Sequence, residues 1–232
     1  SVTPELPAFN ARELGGRKVA VCQRLYDQAS GSLVAAHEDP SDEGQTVRVP
    51  SIGTTATDAQ SGTHQAMATE NVSISDKVQH EGLASGAAMR LEGKLVFADT
   101  GEPVQNDGGE VSATVEFAPE QADGSVTLEL PAFNARELAG RKVVVFERLY
   151  MGRELVASHE DLSDEGQSVK LIDIGTKARV SQTGGSMGCL HESMEVVDVV
   201  SFKGLTAGKP YTLKAALVGD DGNMLVVNQK AA

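Results

Sequence analysis

The chain repeats itself, and the repeat limits its fold more than any other feature. The stretch Leu155-Val156-Ala157-Ser158-His159-Glu160-Asp161-Leu162-Ser163-Asp164-Glu165-Gly166-Gln167 occurs almost intact earlier, as Leu33-Val34-Ala35-Ala36-His37-Glu38-Asp39-Pro40-Ser41-Asp42-Glu43-Gly44-Gln45. Gln45 and Gln167 lie 122 positions apart, as do Thr54 and Thr176, Asp76 and Asp198, and Leu83 and Leu205. Upstream of the first His the offset is 124, because the first copy has two extra residues in the hairpin after Tyr26. The 232 residues are therefore expected to hold one whole unit, 51–171. Residues 1–50 read as the C-terminal part of a preceding unit, and 172–232 as the N-terminal part of a following one.

Within the whole unit, alternation of apolar and polar residues between turn signals marks strands. They are expected at 51–57, 71–78, 89–97, 111–117, 126–130, 143–150, 154–159 and 167–171. No amphipathic helix of ten residues is visible; 119–124 and 134–140 could each make one turn. Seven or more short strands in one unit predict an all-β fold, an immunoglobulin-like antiparallel β-sandwich repeated in tandem. Trp is absent and aromatics are 4%, so the core must be built from Val, Leu, Ile and Ala.

Several polar residues sit where that pattern calls for apolar ones. Thr54 shares parity with Ile52 and Ala56, and Asp76 with Val72, Ile74 and Val78. Glu147 falls in step with Val143, Val145 and Leu149, and Gln167 leads Val169 and Leu171. A buried polar group costs roughly 1–3 kcal/mol unless hydrogen-bonded, so several inside one sandwich should meet one another. With His159, which precedes Gln167 across an acidic turn, they make a hydroxyl, an amide, an imidazole and two carboxyls.

Taken singly, His159 reads as an ordinary histidine, Asp76 as a turn aspartate and Thr54 as a strand threonine. Together they suggest chemistry. A Thr hydroxyl beside a His base is a nucleophile, and the electrophile is available internally as the Gln167 side-chain amide. Attack and loss of ammonia would leave an ester. A carboxyl in apolar surroundings keeps its proton, so Glu147 is expected to donate to the amide oxygen. Glu129 and Glu116 remain as alternatives for that role, though both alternate opposite their apolar neighbours.

The combination Ile52-Gly53-Thr54-Thr55-Ala56-Thr57-Asp58, Val144-Val145-Phe146-Glu147 and His159 to Gln167 resembles the VaFE-repeat, or Thr–Gln ester-bond, domains. The resemblance implies stalk modules of Gram-positive surface adhesins, each self-crosslinked between a first-strand Thr and a last-strand Gln. It implies Thr54 and Gln167 as the crosslinked pair, with Asp76, His159 and Glu147 assisting. Thr54 is preferred to Thr55 because the third copy keeps Thr176 but has Lys177 next to it. The implied protein is extracellular, anchored to the cell wall through a longer parent, and its chemistry is autocatalytic rather than enzymatic.

Neither a cofactor nor a metal is expected. Asp161, Ser163 and Glu165 have a spacing faintly like a calcium loop, but the glycine and ligand pattern does not match. A net charge of −13 argues against nucleic acid or an anionic membrane as partner. No apolar run is long enough to span a bilayer, and no signal peptide begins at Ser1, as expected of a mature fragment. A hydrolase using Thr54, His159 and Asp76 on an external substrate lacks any supporting motif. The competing reading is a ligand-binding adhesin module without a crosslink, its host ligand unknown.

The expected partners are neighbouring repeats of the same protein. The terminal parts are complementary: 172–232 supplies Thr176 and Asp198, and 1–50 supplies His37 and Gln45. A second crosslink, Thr176 to Gln45, could form head-to-tail between chains and bring Cys22 near Cys189. In the first copy, however, Cys22-Gln23 replaces Phe146-Glu147, and a neutral amide supplies no acidic proton.

Overall fold

The computed structural model describes residues 2–188, 190 and 193–228. Its core is a sandwich of two sheets, antiparallel except where β6 joins, built from the middle of the chain. The first segment contributes β1 (Lys18–Ala20), β2 (Gln23–Tyr26), β3 (Leu33–His37) and β4 (Thr46–Arg48). The central unit follows with β5 (Ser51–Asp58), β6 (Gln65–Met67), β7 (Ile74–Glu81), β8 (Met89–Phe97), β9 (Gln105–Asn106), β10 (Gly109–Glu110), β11 (Ser112–Phe117) and β12 (Gly124–Glu129). After a 3₁₀ turn at Arg136–Leu138 come β13 (Lys142–Met151), β14 (Glu154–His159) and β15 (Ser168–Val180). The chain goes on through β16 (Val196–Lys203), β17 (Ala215–Val218) and β18 (Met224–Asn228).

One sheet of the sandwich orders β12–β7–β5; the other runs β11–β8–β13, and β13 then serves two neighbours in turn. Its first residues, Lys142 to Val144, pair with β15, whereas Glu147 to Met151 pair with β14. The two neighbours diverge around Val145, leaving a gap along β13 that the site occupies. Alternation explains the packing: Val143, Val145, Leu149, Val169 and Leu171 face inward against Ile74, Val78, Leu91, Leu95 and Leu128, all buried. Gly93 makes room in that layer, since a Cβ there would collide with the Leu128 side chain.

The expected strands form, with shifts that have physical causes. The second begins at Ile74 rather than 71, because Val72 is drawn into an isolated bridge with Phe133. The three-residue β6, which pairs in parallel with β15, carries no alternation long enough to read. The strand expected to end at Leu171 does not end there; β15 continues to Val180 and pairs beyond the unit with β16. Of the two candidate turns only the later becomes a helix, at Arg136–Leu138.

The register also fixes the direction of the module. Ser51 pairs with Glu81 and His80 with Gly124 at one end, while Val143 pairs with Phe97 and Lys142 with Lys170 at the other. The chain enters at the first end and leaves through β15 at the second.

The flanking segments repeat the pattern in halves. β2 and β3 pair as β13 and β14 do, Gln23 opposite His37 as Glu147 is opposite His159. β15 and β16 repeat the pairing of β5 and β7, Thr176 opposite Val200 as Thr54 is opposite Val78. Their apolar faces are open: Leu25 is 62% exposed and Val47 61%, against 1% and 0% for their counterparts Leu149 and Val169. Among the described residues, no strand pairing joins the first segment to the third.

Candidate functional site

The site forms where the divergence of β14 and β15 meets β5 and β7. Ala56 N donates to Gly166 O at 2.8 Å, laying β5 against the turn that carries Gln167. A Cβ on Gly166 would come within 3.3 Å of the Thr54 carbonyl, so the glycine permits this approach. Asp76 is opposite Ala56 in register, and therefore diagonal to Thr54 on the same face. Glu147 is opposite His159. The structure thus brings Thr54, Asp76, Glu147, His159 and Gln167 together.

Gln167 is fully buried, and its amide is held by the nitrogen. Nε2 donates to Val145 O at 2.8 Å, to Glu147 Oε2 at 2.7 Å and to His159 O at 3.1 Å. Two of these partners are main-chain carbonyls, which only accept, so the amide cannot be turned over. This corrects one expectation. Glu147 faces the amide nitrogen, the atom that would leave, and not the oxygen. Parity tells which face a side chain takes but not which atom it meets.

Asp76 and Glu147 are both fully buried carboxyls. Burial first, then the charge of Asp76, pushes the Glu147 pKa up to about 11, so it is protonated at neutral pH. Asp76 is also raised, mainly by burial, an effect opposed by its Glu147 and Thr54 neighbours. Two carboxylates cannot bond each other, whereas one proton between them can.

Among the described residues, six buried side-chain polar atoms lack a hydrogen-bond partner of good geometry: Thr54 Oγ1, both Asp76 oxygens, Glu147 Oε1, His159 Nδ1 and Gln167 Oε1. All belong to these five residues. Asp76 nonetheless feels the Thr54 hydroxyl and the Glu147 carboxyl as hydrogen-bonding neighbours. Together the two observations describe groups within reach of one another but not locked. Native interiors satisfy nearly all such atoms, and a concentration of exceptions marks function.

One participant escaped the sequence. Asp164 Oδ2 lies 3.1 Å from His159 Nε2, while Asp164 Oδ1 accepts from Gly166 N at 2.7 Å. The aspartate therefore takes the Nε2 side of the ring and leaves Nδ1 as the buried ring nitrogen without a partner. Its signal was the repeated turn: Asp42 lies 3.0 Å from His37 Nε2 in the same way. The alternative glutamates are elsewhere. Glu129 is exposed and accepts from Ser75 Oγ, and Glu116 is exposed on β11. Of the calcium-like trio, Asp161 Oδ1 accepts from Ser163 N and Oγ, and Glu165 pairs with Lys142.

The first segment holds a second cage. Gln45 Nε2 donates to Val21 O at 2.9 Å, Gln23 Oε1 at 2.9 Å and His37 O at 2.8 Å. Thr176 and Asp198, the candidates to complete it, are exposed on β15 and β16, and among the described residues no strand pairing brings them to it. Cys22 is a free, exposed thiol, and Cys189 lies outside the described residues.

A buried amide and a buried carboxyl pair thus lie together with a half-buried threonine and histidine whose inward-facing atoms are buried. The chain belongs to the family of T-Q ester bond containing domains, whose model matches residues 2–49, 50–171 and 172–232. Domains of this family contain an ester bond between a Thr and a Gln. Among solved structures, a bacterial adhesin from Mobiluncus mulieris containing intramolecular disulfide, isopeptide and ester bond cross-links is 13% identical. It aligns over 67% of this chain and 76% of its own, with a TM-score of 0.45. A putative beta-galactosidase from Bacteroides fragilis is 14% identical over 56% of this chain and 19% of its own, with a TM-score of 0.39. Neither likeness carries an argument about function. No curated protein matches the chain.

Proposed function

We propose that residues 51–171 are a structural module closed by an ester between Thr54 Oγ1 and Gln167 Cδ, formed without a cofactor. The observation that carries this reading is the set of unpartnered buried atoms on those residues and their three neighbours. His159 Nδ1 takes the Thr54 proton as Oγ1 attacks the amide carbon, and Asp164 steadies the imidazolium. The charge that develops on Gln167 Oε1 needs a donor. In the first segment Asp39 N donates to Gln45 Oε1 at 3.2 Å, and the corresponding N–H here is that of Asp161. Glu147 then gives its proton to the nitrogen, which departs as ammonia. The imidazolium proton returns through Asp76 to Glu147, so the products are one ester and one ammonia. Burial protects the ester from water.

The bond would join β5, where the chain enters, to the start of β15, where it leaves at the opposite end. Pulling along the module then loads the crosslink and not the sandwich. In chain-entropy terms, closing a loop of this size contributes about 4–5 kcal/mol. The larger effect is on the rate of forced unfolding. This suits a stalk of a cell-wall-anchored adhesin on a Gram-positive surface, as the sequence resemblance implies. Among the described residues no helix is long and apolar enough to cross a membrane.

The open faces of the first and third segments support head-to-tail joining of chains, with Thr176 of one chain meeting Gln45 of the next. Light scattering at rising concentration tests that joining; a strictly monomeric chain would exclude it. Peptide mapping tests the main reading: a linked peptide pair containing Thr54 and Gln167 is expected, and an unlinked peptide with intact Gln167 would contradict it.

A further inference from the structure

Where one unit ends and the next begins, the structure has no linker. β15 passes from the central unit into the third segment as one strand, and two residues separate β4 from β5. The same backbone contacts appear at both junctions. Gly16 N donates to Val49 O at 2.8 Å, and Gly140 N donates to Leu171 O at 2.8 Å. Val49 N donates to Arg17 O and Leu171 N to Arg141 O, both at 2.9 Å. Against each closing strand lies a glycine from the turn of the following unit: Gly82 against Val49 and Pro50, and Gly204 against Leu171 and Ile172.

Both glycines have positive φ, +73° and +79°. A Cβ on Gly82 would meet Val49 O at 3.6 Å, an ordinary contact. On Gly204 it would collide with Leu171 O and lie 3.2 Å from Ile172 Cα and 3.3 Å from Gly140 Cα. Three backbone segments converge there, and backbone cannot move aside as a flexible side chain can. Polar contacts flank the point: Lys170 Nζ reaches Leu205 O at 3.5 Å, and Tyr211 Oη accepts from Thr206 N at 3.1 Å.

We propose that this junction is a fixed interface between consecutive units, in which the end of one unit seats the glycine turn of the next. Its partner is the following copy of the same unit, and its action is to hold successive units at a constant angle. Domains joined by short interfaces ordinarily move relative to each other; here the continuous strand and the glycine seat remove that freedom. The inference rests on the tandem-array reading and adds stiffness to it.

The experiment measures amide residual dipolar couplings on the whole chain, with two variants. Gly208, in the same loop, has φ +77° but nothing within 4 Å of its Cβ position, so Gly208→Ala carries the conformational strain without the close approach. One alignment tensor should fit both 53–171 and 173–203 in the wild type and in Gly208→Ala. Gly204→Ala should require a second tensor of reduced magnitude for 173–203. Two tensors in the wild type, or identical behaviour of the two variants, would overturn the proposal. Intact mass on the same samples separates the readings: loss of the crosslinked-module reading appears as a missing ammonia deficit with one tensor kept, and loss of the junction as two tensors with the deficit kept.

Discussion

Gln45 and Gln167 sit in almost the same cage, yet among the described residues only Gln167 has β5, the strand of Thr54, laid against its turn. Each amide nitrogen is held by two carbonyls and one side chain, supplied by a hairpin and the acidic turn after it. That half of the site is local in sequence and forms in the first segment with no sandwich around it. The other half, Thr54 and Asp76, comes from β5 and β7 and needs the second sheet. A further difference is one residue: Glu147 faces the nitrogen in the central unit, and Gln23 in the first segment. Holding the amide therefore needs only local structure, whereas the proposed activation would need a buried acid and a distant hydroxyl.

The strongest way to break the comparison is to remove the hydroxyl. Thr54→Ala should abolish the ester completely, and single-molecule pulling should change from limited to full extension of the unit. Converting the central acid to its first-segment counterpart comes next. Glu147→Gln should keep the fold and the cage but slow bond formation by about 10²–10⁴-fold, the span of a lost general acid. Timed mass spectrometry after refolding reads that rate. A smaller loss, about 10–100-fold, is expected for Asp164→Asn, which leaves His159 in place but takes the charge from its partner at Nε2.

A separate effect is one of pH on the stability of the uncrosslinked module. Burial raises the Glu147 pKa from 4.5 to about 11, so the folded state retains a proton that the unfolded chain releases. The Thr54→Ala variant should accordingly be most stable below about pH 4.5 and lose stability steadily as pH rises towards 11. Asp76, also raised, adds to the same trend. Denaturant titrations across that range should slope less in the Thr54→Ala, Glu147→Gln double variant, and an unchanged slope would remove Glu147 as the cause.

Alternation made much of this legible. A Gln in step with Val169 and Leu171 had to be buried, and Asp76 and Glu147 betrayed themselves in the same way. Asp164 did not, because it lies in a turn without parity and only its neighbours give it a role. The direction of Glu147 towards the nitrogen was also out of reach, since two main-chain carbonyls decide it and they depend on where β14 and β15 part. The run of β15 through the repeat boundary was hidden by the repeat itself, which suggests a stop where the backbone has none.

The central claim is covalent, so accurate intact mass of the folded chain tests it most directly. The account predicts a mass lower than that of the sequence by one ammonia for the central unit, restored in Thr54→Ala. A folded chain with its full sequence mass would contradict it.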